Sequence, residues 1–154
     1  MKKFELTTEY IIHWGRKLFR IKAIVSFGNV EVGELGGFVE REENLSQNGN
    51  AWVSGNAKVS GDAEVSGNAK VYGNAEVSSD NHFTYIHGFG SENRTTTFFK
   101  QKDGSIGVKC GCFYGTVDEF REKVKETHGE SKYAKEYLLI ADLMEFHFKD
   151  TEVK

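Results

Sequence analysis

A six-residue period dominates the middle of the chain. From Gly49 to Ser78 the sequence reads GNAWVS, GNAKVS, GDAEVS, GNAKVY and GNAEVS, and Glu43–Asn48 fits as a degenerate hexad before them. Within each hexad Ala and Val stand two residues apart, so on an extended strand they face the same side, and the residue between them faces the other. The shared side carries Ala51, Ala57, Ala63, Ala69 and Ala75 with Val53, Val59, Val65, Val71 and Val77. The opposite side carries Trp52, Lys58, Glu64, Lys70 and Glu76, charged at every position except Trp52 and therefore suited to water. Gly-Asn or Gly-Asp supplies the turn, because both residue types tolerate positive φ. Short strands and turns alternating at this period predict a parallel β-helix.

The run resembles the hexapeptide-repeat, left-handed β-helix family, in which three hexads make one triangular coil. That resemblance implies a short left-handed parallel β-helix of about two coils over residues 43–81. It also implies that Lys58 lies beside Glu76, and Trp52 beside Lys70, across neighbouring strands, where opposite charges would attract. In this chain Gly falls two residues after each Val rather than one, a departure that bears on the corners. Two coils expose apolar ends and strand edges, so flanking segments or other subunits must cover them.

The flanks supply such covers. Residues 1–42 read as an N-terminal β-rich cap. Tyr10–Trp14 and Leu18–Ile24 flank a Gly15-Arg16-Lys17 turn, Val30–Val39 leads into the repeat, and Gly36-Gly37 marks a tight corner. Residues 82–154 read as an α+β unit. Phe83–Ile86, Thr95–Lys100 and Ile106–Cys110 are strand patterns, the last two joined by a hairpin turn at Lys102–Ser105. Thr116 and Glu119 form a capping box for a helix closed by Gly129. Ser131 starts a second helix whose Tyr133, Tyr137, Ile140, Ala141 and Met144 share a face, with Leu138, Leu139 and Leu143 widening its apolar surface. Residues 149–154 are expected to fray. The fold class expected is thus mainly β: the β-helix, its N-terminal β cap, and a C-terminal hairpin with two helices.

Composition narrows the function. The net charge is −3 and no long basic run exists, so bulk capture of nucleic acid is not expected. No apolar stretch is long enough to span a membrane, and the Met1–Glu5 start lacks the apolar core of a signal peptide. Cys110 and Cys112 make no disulfide framework, which fits a reducing, cytoplasmic setting.

The segment most suited to binding is residues 88–97, GFGSENRTTT. Its glycines let backbone N–H groups approach an anion, and its Ser, Thr and Arg side chains are donors suited to phosphate or carboxylate. We take Gly88, Gly90, Ser91, Arg94 and Thr95 as candidate ligand residues, completed by Lys132 and Tyr133 at a helix start. The plain alternative is an irregular connection with Arg94 paired to an acidic neighbour. Cys110-Gly111-Cys112 is poorly spaced for zinc and reads as two small packed residues, so no metal site is assigned. His82 and His87 follow the repeat, where hexapeptide acyltransferases place a general base, but no triad or Cys–His pairing is legible and no catalytic residue or cofactor is assigned. Trp14, Phe89, Phe113 and Tyr114 read mainly as packing aromatics. Trp52, alone in an otherwise charged row, must meet the N-terminal cap, another subunit or a ligand, and is assigned to an interface.

The wider pattern is similar to a group of small bacteriophage and prophage proteins. The similarity lies in Arg20–Ala23, Phe27–Val30, Gly33–Glu40 and Glu43–Ser46 ahead of the hexads, and in Arg94–Thr97, Cys110–Cys112 and Lys132–Tyr137 after them. It implies a phage protein in the cytoplasm of an infected bacterium, where small proteins of this kind block host defences. The expected function is a non-enzymatic binding protein, a homo-oligomeric trimer or dimer, that sequesters an anionic small molecule such as a nucleotide immune signal. The alternatives are an anti-CRISPR-like inhibitor of a host defence protein, a hexapeptide-type acyltransferase and a structural assembly element.

Overall fold

A computed structural model describes residues 2–92 and 94–149. Asn93 of the candidate binding segment and residues 150–154, expected to fray, lie outside the described residues.

The N-terminal third is antiparallel. Strands β1 (Phe4–His13) and β2 (Arg16–Ala23) form a hairpin, and β3 (Leu35–Val39) lies against β2. The hairpin turn is Trp14-Gly15, one step earlier than expected, with φ +54° and +76°. A two-residue hairpin loop of this hand needs positive φ at both central positions, because only that turn matches the strand twist.

The repeat then adds parallel pairs. Its short strands are β4 (Trp52–Val53), β5 (Lys58–Val59), β6 (Lys70–Val71) and β7 (Glu76–Val77). Lys58 pairs with Glu76, and Trp52 with Lys70, each across a parallel ladder. The Ala and Val rows are buried together and form one core with Phe4, Ile21, Leu45 and Phe99.

These pairings do not close into a left-handed β-helix, and the expected fold class is corrected here. Strands β5 and β7 join the N-terminal strands in a five-stranded mixed sheet, in the order β1-β2-β3-β5-β7. Strands β4 and β6 make a separate two-stranded sheet. The remaining hexad joins its neighbours through a bridge between Leu45 and Val65 and through the Asn44 side-chain amide, which donates to the Ala63 carbonyl at 2.8 Å. The physical reason is that a hexad contributes at most two strand residues, and a strand from outside the repeat, β3, pairs in parallel with β5 and joins it to the antiparallel hairpin. The N-terminal strands are therefore part of the same sheet as the repeat rather than a cap over its end. The resemblance to hexapeptide-repeat β-helix proteins of the small-phage type fails on the same finding. The charge pairing also differs in detail, since the Glu76 carboxylate lies 3.7 Å from His13 Nε2.

The third sheet is antiparallel, in the order β11-β10-β9-β8. It comprises β8 (Phe83–Phe89), β9 (Arg94–Lys100), β10 (Ile106–Cys110) and β11 (Phe113–Thr116). Helices α1 (Val117–His128) and α2 (Lys132–His147) pack on it through Phe98, Val108, Phe120, Val124, Tyr137 and Met144. The Thr116–Glu119 capping box is present, and Ser131 caps α2. Arg121 ties the helices together, reaching Asp118, Asp142 and Glu145 at 2.9, 2.8 and 2.7 Å. Only part of the expected apolar face of α2 is core, because Tyr133, Leu139 and Leu143 are exposed. The molecule is thus a mixed α/β arrangement of three open sheets and two C-terminal helices. No helix among the described residues is long and apolar enough to cross a membrane.

Strand β3 fits against the repeat only because it carries no side chains where it crosses. A Cβ on Gly36 would stand 2.5 Å from the Val53 carbonyl oxygen and 2.8 Å from Trp52 Cζ2. Backbone cannot yield as a flexible side chain does, so Gly36→Ala is expected to cost about 3 kcal/mol. Urea unfolding would show it as a lower midpoint at unchanged slope. A loss under about 0.5 kcal/mol, the size of an ordinary surface change, would contradict this close approach.

Candidate functional site

The expected binding segment is not a loop for most of its length. Gly88 and Phe89 belong to β8 and Arg94–Thr97 to β9, so only a short turn separates them. The positive φ of Gly88 (+96°) and Gly90 (+82°) serves the hairpin, where the register shifts between His87 and Phe89. Gly90 also makes room for Tyr137, whose hydroxyl donates to the Phe89 carbonyl at 3.0 Å.

The candidate residues are spread over three cavities. Gly88, Gly90 and Ser91 meet Lys132 and Tyr133 around a shallow cavity of about 510 Å³, which Glu136 shares. Ser91 and Arg94 line another, of about 270 Å³, with Cys110, Cys112 and Tyr137. Arg94 also lines, with Thr95, a groove of about 700 Å³. Arg94 pairs with Glu92 at 3.0 Å, and its guanidinium lies against Gly111, where a Cβ would collide with it. Thr95 Oγ1 is 2.7 Å from His87 Nδ1. His82 is elsewhere, its Nδ1 accepting from the Ser78 backbone N–H at 3.0 Å.

The groove gathers more lysine and arginine side chains than the other two cavities. It is lined by Trp52, Lys70 and Tyr72 from the repeat, by residues 28–30, 34 and 35, and by His87, Arg94, Thr95 and Lys109 of the third sheet. Lys70, Lys109 and Arg94 all line it, with Tyr72 beneath Lys109 at 4.7 Å from ring centroid to ammonium. Among the described residues neither Lys70 nor Lys109 has a carboxylate partner. The groove's own carboxylate, Glu34, is turned to the Glu31 backbone N–H at 3.0 Å. Burial, and then the like charge of Lys109, depress the Lys70 pKa. Lys3, behind the same sheet, donates to the Ala51, Gly49 and Asn48 carbonyls at 2.8, 3.3 and 3.5 Å. Burial, and then Lys70, bring its pKa down to about 8.

Trp52 meets the chain's own N-terminal region, not a free surface. It is 3% exposed and packs edge-to-face on Phe27, with ring centroids 5.3 Å apart. Its indole N–H has no hydrogen-bond partner among the described residues. A buried donor left unmatched is costly, and this one lies beneath the groove surface rather than open to it.

Lys70, Tyr72 and Lys109 were not singled out from the sequence. A signal was present for the first two. Tyr72 replaces the Ser that closes most hexads, and Trp52, the neighbour of Lys70, replaces a charge. Both departures from the repeat fall on this groove. Nothing in the sequence pattern distinguishes Lys109. Cys110 and Cys112 are free thiols, and Thr96 Oγ1 donates to Cys110 Sγ at 3.2 Å. Among the described residues no three of His, Cys, Asp and Glu gather as a metal-ligand set. No family model matches the chain, and no curated protein matches it.

The like charges are directly testable. Lys109→Gln is expected to raise the Lys70 pKa, and Lys70→Gln to raise that of Lys3 above about 8, both read by NMR titration of the lysine Cε signals. Because Lys3 titrates near 8 when folded and about two units higher when unfolded, the unfolded chain holds more protons across that interval. Stability should therefore rise with pH from about 8 towards 10, and Lys3→Met should remove that rise.

Proposed function

We propose that the protein is a non-enzymatic binding protein whose groove sequesters an anionic, nucleotide-like small molecule. The observation that carries this reading is the convergence of Lys70, Lys109 and Arg94 in one groove where the two lysines lack carboxylate partners. Like charges held together at the cost of a depressed pKa are stabilised by an anion that arrives between them. Arg94 presents a planar donor set suited to phosphate, while Thr95 adds a neutral donor. The partly exposed Tyr72 supplies aromatic surface for the rest of the ligand.

The reading sets the protein in the cytoplasm, where free nucleotides are available and the two thiols stay reduced.

Calorimetric titration with inorganic pyrophosphate tests the reading. Binding is expected to weaken as salt rises, and Arg94→Ala and Lys109→Gln are each expected to lower affinity roughly tenfold without changing the circular dichroism spectrum. Unchanged affinity in both variants would overturn it.

A further inference from the structure

A second cleft, of about 290 Å³, lies where the β1–β2 hairpin tip, the repeat and the third sheet come together. It shares no lining residue with the groove. Lys58, Lys100 and Lys102 line it with His13 and His82, against one carboxylate, Glu76. Among the described residues none of the three lysines forms an ion pair, and Glu76 is engaged by His13.

Trp14 stands at the rim of this cleft and is out of place on structural grounds. It is 83% exposed, so it contributes little to the core. Its φ of +54° is a conformation that glycine and asparagine adopt readily and a bulky aromatic does not. Its indole meets only the edge of His13, with centroids 5.5 Å apart. Backbone strain and an exposed indole at one position are retained where the side chain has work outside the fold.

The geometry points to a second ligand site, in which Trp14 stacks an aromatic base and Lys58, Lys100 and Lys102 hold a phosphate attached to it: a nucleoside monophosphate. An exposed indole offers any base a stacking face, and unpaired lysines next to it offer charge to the phosphate. His82 adds a neutral donor, because its Nδ1 accepts from the Ser78 N–H and its ring proton is thereby set on Nε2. The surplus of positive charge is felt by the histidines themselves. Burial, opposed by Glu76 but reinforced by Lys58 and Lys102, depresses the pKa of His13, and burial followed by Lys100 depresses that of His82.

The chain carries two tryptophans, one buried and one exposed, so fluorescence reports on Trp14 in the full-length protein. AMP is expected to quench the exposed component saturably. Adenosine and inorganic phosphate, each offering half the ligand, should bind at least roughly tenfold more weakly. By calorimetry Lys102→Gln should weaken AMP binding roughly tenfold, and Trp14→Asn should weaken it as much while leaving the thermal midpoint unchanged or higher. Lys22→Gln, on β2 and lining neither cavity, should leave AMP affinity as it is. The inference is overturned if AMP does not quench, if adenosine binds as well as AMP, if Trp14→Asn and Lys102→Gln retain full affinity, or if Lys22→Gln weakens AMP as much as they do.

Discussion

Strand β3 lies against the repeat with backbone facing backbone. Gly36 approaches the Val53 carbonyl and Gly37 the Ala57 carbonyl, at 2.5 and 2.7 Å from where a Cβ would be. That approach lets β3 pair with β2 on one side and β5 on the other, so antiparallel and parallel ladders share one sheet. It also presses the 27–35 segment over Trp52 and thereby makes one wall of the groove. The residues that decide the architecture are therefore two glycines just outside the repeat, while the hexads provide the filling.

The period was legible for the same reason that the closure was not. Ala and Val two apart fix which way side chains face, and an eighteen-residue offset fixes which hexads can neighbour each other. Both are local consequences of strand geometry, and the Lys58–Glu76 and Trp52–Lys70 pairings follow from them. Whether short strands curl into a prism depends on what competes for their edges. Here β3 and the Gln101 bridge to Ala75 do so. Such competitors come from distant parts of the chain, and a repeat pattern carries no record of them. The helices were the easier case, because Thr116, Glu119, Gly129 and Ser131 act within a single turn.

The binding residues were legible by type and not by place. Arg94 and Thr95 were chosen as donors beside glycines, yet those glycines bend a hairpin, and their neighbours Lys132 and Tyr133 line a different cavity. Alternation along β9 puts Thr95 and Thr97 on one face and Arg94 and Thr96 on the other, so the pattern by itself does not predict that Arg94 and Thr95 line one groove. Lys70 and Lys109 are brought together by packing between sheets, through contacts such as the Lys70 N–H on Thr97 Oγ1 at 2.9 Å.

The repeat itself shows why the charge on Lys70 is left over. Its outward row alternates lysine and glutamate from Lys58 to Glu76, and an offset of three hexads sets Lys58 beside Glu76. Continued backwards, that alternation would place a glutamate at position 52. The chain has Trp52 there, directly beside Lys70 in the β4–β6 ladder. One substitution in an otherwise regular pattern thus removes the carboxylate that would neutralise Lys70 and puts an aromatic ring with an unmatched N–H in its place. Tyr72, the other departure in the same strand region, faces Lys109. The repeat sets Lys58 beside Glu76, yet the Glu76 carboxylate engages His13, so register places charges without pairing them. Where the repeat breaks, Lys70 is left beside the buried Trp52 and the partly exposed Tyr72 lies under Lys109, so positive charge and one aromatic ring share the groove, the two properties an anionic aromatic ligand requires.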